Sequence, residues 1–356
     1  MDDYDFFCEF GEKQDSIGLL RIALRPFRYF KKACILLDGT GSVQVLTPQV
    51  AKLAVRLPDV PWEFTKPLYV NFKSLWASLQ HMKGTLRKVP DHLELVAENH
   101  IVKLDLCAPY TAETSEFPID ELTLLNSTPL LAVMTPVRHA MGLGEIGRLN
   151  LKGIQVELEP HKLTAIATDA YRLVVASTSY SYEGPTCSWF IPADFVPCLL
   201  DLLPICTQIE IGKQSFQLTT LESMTYQARH TTEVTFPDYR SILPKTKPTT
   251  QLQINLQIFA KALQKTKAQK VVLTLEDGSP LRIDAYESAQ AEVLEKDCRI
   301  EGEALQIGFS STYFTKARTT EFQRIQFWGA LMPCLIQSTS RDGMVQITEV
   351  IMPIRV

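Results

Sequence analysis

Apolar residues along this chain fall into two periodicities that take turns. Three stretches space them three and four apart: Ile17, Leu20 and Leu24; Leu130, Met134, Val137 and Met141; Leu256, Phe259 and Leu263. That spacing puts each set on one face of a helix. Pro26 stops the first helix. Thr128 as N-cap, with Pro129 at the first helical position, starts the second. Further helical stripes occur at Phe72, Leu75, Leu79 and Met82, and at Phe195, Leu199 and Leu202, with a weak one near Tyr313 and Phe314. Between them lie short runs rich in Ile, Val and Thr that read as strands. Ala33–Leu37 and Ser42–Leu46 flank a Gly-rich turn, as do Val271–Leu275 and Leu281–Ala285. Gly153–Leu158 and Leu163–Ala167 meet near Pro160, and Leu173–Ala176 follows.

The pattern repeats. An apolar residue followed by Pro closes a strand-like run at Phe117-Pro118, Phe236-Pro237 and Met352-Pro353, 119 and 116 residues apart. A strand end leading into a helix recurs at Val70-Asn71-Phe72, Ile191-Pro192-Ala193 and Ile307-Gly308-Phe309, 121 and 116 residues apart. Two independent landmarks with one period predict three equivalent units. The expected fold is α+β, with three similar domains, each of two helices and antiparallel sheets. The domains span 1–121, 122–246 and 247–356, with connections near Phe117–Thr123 and Pro244–Thr250.

Composition narrows the function classes. Apolar content is 46% and the formal net charge is −4, so no basic excess marks a nucleic-acid binder. A surface that faces phosphates need only be locally basic. No run of about 18 apolar residues predicts a membrane span, and the acidic start MDDYDFFCEF lacks the basic opening of a signal peptide. The eight cysteines form no CxxC pair, which points to free thiols in a reducing cytoplasm. No HExxH, zinc-spaced Cys/His, GxSxG or Walker pattern is present, so no metal or cofactor is expected. Gly142 to Gly147 matches GxGxxG, but a helix precedes it and an extended stretch follows, the reverse of a dinucleotide site.

Charge on the helices is more informative. Arg21 and Arg25 lie four apart, away from Leu20 and Leu24, and Lys261 and Lys265 repeat the arrangement. Arg138 sits at the end of the middle unit's first helix, and Lys73 and Lys83 flank a second helix. Solvated helix faces are the ordinary reading of such charges. Equivalent helices of a repeat would instead line one common surface, and sequence-independent phosphate contact needs no more.

Leu163 to Ala176 holds two strand-like runs around Thr168-Asp169-Ala170-Tyr171-Arg172. Spacing alone is met by a plain strand connection, with Asp169 bonding its own backbone and Arg172 offsetting its charge. T-D-x-x-R-L in that setting resembles the middle domain of bacterial sliding clamps, the DNA polymerase III beta subunit family. Leu151-Lys152-Gly153, the string Phe236-Pro237-Asp238-Tyr239-Arg240-Ser241-Ile242-Leu243-Pro244, Ile307-Gly308-Phe309 with Tyr313, and the terminal Val350 to Val356 follow in that family's order.

The resemblance implies a chain of three clamp domains and a head-to-tail homodimer closed into a ring. It implies a non-enzymatic, cytoplasmic processivity factor that encircles double-stranded DNA without reading its sequence. Arg21, Arg25, Lys73, Lys83, Arg138, Lys261 and Lys265 would face the DNA. Its implied partners are the replicative DNA polymerase, a clamp loader and other proteins carrying a clamp-binding motif; no membrane is involved. They would dock a short peptide, with Gln near its start and Leu or Phe near its end, between domains 2 and 3. The implied groove is Arg148, Leu151, Thr168, Ala170, Tyr171, Arg172, Leu173, Pro237, Ile242, Tyr313, Pro333, Val350, Met352 and Ile354. Ala170 and Tyr171 stand where the family often has Gly and His, Ser241 where a basic residue is common, and Asn150 where an aromatic is common. The alternative is a clamp-like interaction protein that keeps the groove without encircling DNA.

Overall fold

The computed structural model describes residues 20–21, 23–29, 34–37, 42–46, 53–56, 68–80, 85–89, 91–97, 100–107, 123–142, 149–212, 215–221, 224–229, 235–286, 288–296, 298–315 and 322–355. Lys83, Arg148, the acidic start and Leu143 to Gly147 lie outside them.

One order of elements occurs three times. First, β1 (Cys34–Leu37), β2 (Ser42–Leu46) and β3 (Leu53–Arg56) form a meander, and β4 (Leu68–Asn71) pairs back onto β1. Helix α1 (Phe72–Leu79) follows, then a second meander of β5 (Thr85–Val89), β6 (His92–Ala97) and β7 (His100–Asp105). The next round opens with β8 (Thr123–Leu125) and α2 (Ser127–Val137). Its meander is β9 (Gly153–Glu159), β10 (Lys162–Thr168) and β11 (Arg172–Ser179), with β12 (Cys187–Pro192) back on β9. Helix α3 (Val196–Leu202) and the meander β13 (Cys206–Ile211), β14 (Ser215–Thr220) and β15 (Thr225–Arg229) close it. The last round runs through β16 (Thr250–Asn255), α4 (Leu256–Lys265), β17 (Lys270–Leu275), β18 (Leu281–Ala285), β19 (Ala291–Leu294) and β20 (Cys298–Gly302). β21 (Leu305–Ser310) pairs back onto β17, and α5 (Ser311–Thr315) precedes the meander β22 (Phe322–Phe327), β23 (Cys334–Thr339) and β24 (Val345–Ile351). Every one of these pairings is antiparallel, as the sequence pattern predicts.

The chain packs as two compact units, Met1–Ser127 with Pro197–Thr231, and Thr128–Val196 with Thr232–Val356. In the first, β3 pairs with β15 and makes one eight-stranded sheet, ordered β4-β1-β2-β3-β15-β14-β13-β8. In the second, β11 pairs with β24 and makes a nine-stranded sheet, ordered β12-β9-β10-β11-β24-β23-β22-β16-β20. Both joints follow one rule: the third strand of one round's first meander pairs with the last strand of the next round. The four-stranded sheet β19-β18-β17-β21 and the three-stranded sheet β5-β6-β7 complete the units.

Helix placement follows local chemistry. Asn71 caps α1 by accepting from the Ser74 N–H, and Asn255 caps α4 by accepting from Gln257 and Ile258. α1 buries Phe72, Leu75 and Leu79, and α4 buries Leu256, Phe259 and Leu263, the stripes expected from spacing. α2 begins at Ser127, one residue before the expected cap, and carries Pro136 inside it. A 3-10 turn over Leu149–Leu151 precedes β9, where the sequence pattern suggested continuous extension. In the third round the weak helical stripe is a single short helix, α5.

Gly153 has no room for a side chain: a Cβ there would sit 2.3 Å from the Ile191 carbonyl oxygen and 2.6 Å from the Phe190 ring. Forcing an atom into a packed strand pair costs about 1–3 kcal/mol. Gly153→Ala is expected to lower the stability measured by chemical denaturation by that amount. An unchanged midpoint would mean that β12 can shift away freely.

Candidate functional site

The nine-stranded sheet of the second unit has two unlike faces. On one face Ile336, Ile351, Ile325 and Phe327 join the core beneath α4. On the other, Ile166, Leu173, Leu335 and Val350 pack under Tyr239, with Phe236, Leu243 and Trp328 alongside. The alternation of side chains along β11 and β24 accounts for the split: Leu173 lies opposite Val350, and Arg172 opposite Ile351. Arg172 and Leu173 therefore leave the sheet on opposite sides at the start of β11.

The turn before Arg172 is held by its own side chains. Thr168 Oγ1 donates to the Arg172 carbonyl at 2.7 Å, and the Ala170 N–H donates to Thr168 Oγ1 at 3.1 Å. Asp169 accepts from the N–H groups of Tyr171 and Arg172 at 3.0 and 2.9 Å. This geometry turns Ala170 left-handed, with φ 75°. Such a conformation costs a residue with a Cβ about 1–2 kcal/mol.

Arg172 is 8% exposed. A buried guanidinium needs partners, because its desolvation is otherwise uncompensated. Its Nε meets Asp169 Oδ2 at 3.0 Å, Nη2 donates to the His139 carbonyl, and the group lies 5.3 Å from the centre of the Tyr313 ring. Burial first, and the Asp169 carboxylate second, push the Tyr313 phenol up. The bland reading of the sequence, Arg172 paired with Asp169, thus describes the resting arrangement.

Residues 235–244 form the outer wall. Tyr239 donates to Glu157 Oε2 at 3.1 Å, and Arg240 Nη2 reaches Glu157 at 2.7 Å and Glu159 at 3.2 Å. Burial and the Glu157 charge push the Tyr239 phenol well above its ordinary range, which keeps it a donor. Asn150 Nδ2 ties the 3-10 turn bearing Leu151 to the Thr235 carbonyl at 3.0 Å. These anchors were not identified from the sequence. The Tyr-Arg pair within the FPDYR string was their visible signal, but its partners lie about eighty residues away.

The chain end completes the arrangement. Met352 N–H donates to the Tyr171 carbonyl at 2.8 Å, and Ile354 N–H to the Gly308 carbonyl at 2.9 Å. Of the sequence-derived groove residues, Tyr171 (63%), Ile242 (41%), Met352 (36%) and Ala170 are exposed. Leu151, Pro237, Tyr313 and Ile354 are half-buried. Thr168, Arg172, Leu173, Pro333 and Val350 are buried, with Leu173 and Val350 covered by the chain's own Tyr239 layer. Tyr171, Ile242 and Met352 are thus the large apolar side chains of this set that face solvent.

Of the basic positions, Arg25, Lys73, Arg138, Lys261 and Lys265 are exposed and Arg21 is half-buried. Lys265 approaches Glu292 at 3.4 Å, which offsets part of its charge. Among the described residues no cluster of three metal-ligating side chains occurs, and no helix is long and apolar enough to cross a membrane. A further cleft of about 770 Å³ lies between α2 and β22–β24, and it holds His139 and Glu349 3.9 Å apart.

Replacing Ala170 by Gly relieves the left-handed strain at the price of chain entropy. The net expectation is a gain of about 0.5–1 kcal/mol in denaturant unfolding. A loss would mean that the methyl group packs favourably.

Residues 240–355 match the family model described as DNA polymerase III beta subunit, C-terminal domain. The beta sliding clamp of Haemophilus influenzae is 29% identical over 226 residues, covering 58% of this chain and 58% of that protein. The beta sliding clamp of Vibrio cholerae is 28% identical over 243 residues, 65% of this chain and 64% of the relative. The matched region thus spans under two thirds of these relatives' length. In fold the likeness is nearly complete. The DNA polymerase III subunit beta of Pseudomonas aeruginosa has a TM-score of 0.76 at 19% identity, over 96% of this chain and 98% of that one. The beta subunit of Thermotoga maritima gives 0.78 at 17% identity, over 96% and 97%.

Proposed function

We propose that this chain, which belongs to the bacterial DNA polymerase III beta subunit family, is a DNA sliding clamp that encircles duplex DNA and tethers a replicative polymerase. The reading takes each round of elements as one domain, 1–121, 122–246 and 247–356. One observation carries it. The strand joint between successive rounds occurs twice, as β3 with β15 and β11 with β24. Its two halves then remain unmatched at the ends of the series. β19 is the third strand of the last round's first meander, and β7 is the last strand of the first round. Each is an edge strand, of the four-stranded and three-stranded sheets respectively.

An exposed edge is a template for another chain. Pairing β19 of one copy with β7 of the next repeats the internal joint between copies. Such a head-to-tail contact closes or runs on as a filament. Two copies would bring six rounds together, and six equal rotations close a ring. Ile101 on β7 and Val293 on β19, 55% and 52% exposed, would be covered there.

The charge distribution suits that ring. With a net charge of −4, attraction to DNA has to come from local surfaces. Arg25, Lys73, Arg138 and Lys261 are exposed on or beside the helices, in keeping with a basic inner lining. The Tyr171–Ile242–Met352 surface would receive the tethering peptides of the polymerase, the clamp loader and other partners. None of these roles needs catalysis, and the protein acts by topology.

Two experiments test this. The intact protein should have twice the 40.2 kDa mass of the chain in solution, and Ile101→Lys with Val293→Lys should return it to the single-chain mass. A wild-type monomer at micromolar concentration would overturn ring closure. Loaded onto circular DNA, the protein should stay bound and then run off once the circle is cut. Equal retention on both forms would favour a clamp-like protein that does not encircle DNA. Ala at Arg25, Lys73, Arg138 and Lys261 should lower the salt dependence of DNA binding by nearly one unit per lost phosphate contact.

A further inference from the structure

The cleft between α2 and β22–β24 lies on the sheet face opposite the Tyr239 layer. Val350 packs into that layer, so by alternation Glu349, Ile347 and Val345 face the other way. The cleft has a volume of about 770 Å³, a size that suits a small ligand. Leu131, Ala132, Val345 and Ile347 give it hydrocarbon walls. His139, just past the end of α2, and Glu349 line it as well. Arg341 and Asp342, of opposite charge, line it from an exposed turn.

Glu349 is an exception among the shielded carboxylates. Glu94, Glu157 and Asp169, with side chains 10%, 15% and 19% exposed, each meet an arginine, at 2.6, 2.7 and 3.0 Å. Glu349, 14% exposed, has only the His139 Nε2 at 3.9 Å, beyond hydrogen-bond reach. Both ring nitrogens of His139 are buried and neither has a hydrogen-bond partner. Arg172, which donates to the His139 carbonyl, is itself paired with Asp169. Pro136 also lines the cleft, and it has no N–H to give to the Ala132 carbonyl one turn back. This wall of the cleft is therefore rich in acceptors, and the carbonyl end of α2 adds a field that favours positive charge.

We infer that the cleft binds a small organic cation, a primary ammonium on an aliphatic chain. Its head group sits between Glu349 and His139, and its chain lies along Leu131, Ala132, Val345 and Ile347. An ammonium brings three donors and no acceptor. The carboxylate takes one of them, and an imidazole nitrogen without a proton takes another. A charge-assisted bond in so shielded a place is stronger than a neutral one. A metal ion fits less well, since among the described residues no three ligating side chains cluster. Ring closure and the peptide groove have no part in this site.

The experiment is a titration of the intact, methyl-labelled protein at neutral pH, followed by nuclear magnetic resonance. Three probes share one chain and differ in the head group: n-hexylamine, n-hexanol and hexanoate. Hexylamine should shift the methyl signals of Leu131, Ala132, Val345 and Ile347 saturably. It should bind about 10-fold or more tighter than hexanol, the scale of one charge-assisted hydrogen bond. Hexanoate should leave these signals unmoved. Glu349→Gln should bring the amine down to the affinity of the alcohol, and Ala132→Phe, which narrows the cleft away from the charged pair, should weaken both. Absence of amine binding, shifts confined to other methyls, equal affinity for amine and alcohol, or a preference that survives Glu349→Gln would each overturn the inference. Should Glu349→Gln fail to fold, the amine-to-alcohol ratio and the position of the shifts on the unaltered protein decide.

Discussion

The backbone ladder between β11 and β24 is the interaction on which the second unit depends. It joins Arg172 to Ile351 and Thr178 to Val345, residues more than 160 positions apart. Closing so long a loop costs entropy, but that cost grows only slowly with length. Seven consecutive register pairs, with Leu173 and Val350 buried between them, offset it. The register also decides what each neighbouring side chain can do. A slip of one residue would send Arg172 into the Tyr239 layer and Leu173 toward His139. The ladder therefore holds the sheet together and also sets which face each side chain at its end takes.

At the start of β11 the ladder's order gives way to chemistry of another kind. The guanidinium of Arg172 is buried and so must be paired, and Asp169 lies in the turn that the pairing itself shapes. Asp169 bonds two N–H groups as well as the guanidinium, so one carboxylate both closes the turn and compensates the charge. Ala170 takes the left-handed conformation that this closure demands. On the opposite face Glu157 does comparable work, receiving Tyr239 and Arg240 and so pinning the segment whose Phe236 and Leu243 pack over the sheet. Both sides of the candidate groove are set by a buried or half-buried carboxylate, and the exposed Tyr171, Ile242 and Met352 rest on that frame. A site meant to receive extended peptides gains from such rigidity, because ordering a loose surface would subtract from affinity.

Much of this was legible in the sequence, for physical reasons. Helical stripes such as Leu256, Phe259 and Leu263 mark a buried face, and strands such as Leu281–Ala285 are bounded by turn residues. The threefold period follows from landmarks that each serve a local need, a strand end that turns into a helix or a Pro that closes a strand-like run. The fold class was therefore readable. What the sequence could not show was partnership across distance. Nothing near Glu157 announces that Tyr239 and Arg240 will find it, and nothing near His139 announces that its carbonyl will receive Arg172. Most of the GxGxxG stretch lies outside the described residues, and the 3-10 turn at Leu149–Leu151 was missed, since three residues are too few to show a period. The burial of Leu173 and Val350 was also hidden. An alternating pattern says which residues share a face, and only the fold says whether that face is already covered.

The same reasoning bears on the mildly acidic charge of a protein proposed to hold DNA. A tether that must slide gains nothing from strong attraction, since each tightly held phosphate would have to be released at every step. Retention by a closed ring makes affinity unnecessary, so scattered lysines and arginines with compensating acids elsewhere are enough. Lys265 illustrates the balance, exposed on α4 yet within 3.4 Å of Glu292. In the proposed ring, the strength of the assembly would reside in its closure. The proposed closure would repeat a backbone joint that the chain already makes twice within itself, so it would need no recognition chemistry beyond an edge of the right register. Ala170 and Tyr171 lie on the exposed rim of the candidate groove rather than in its buried frame of Arg172 and Leu173.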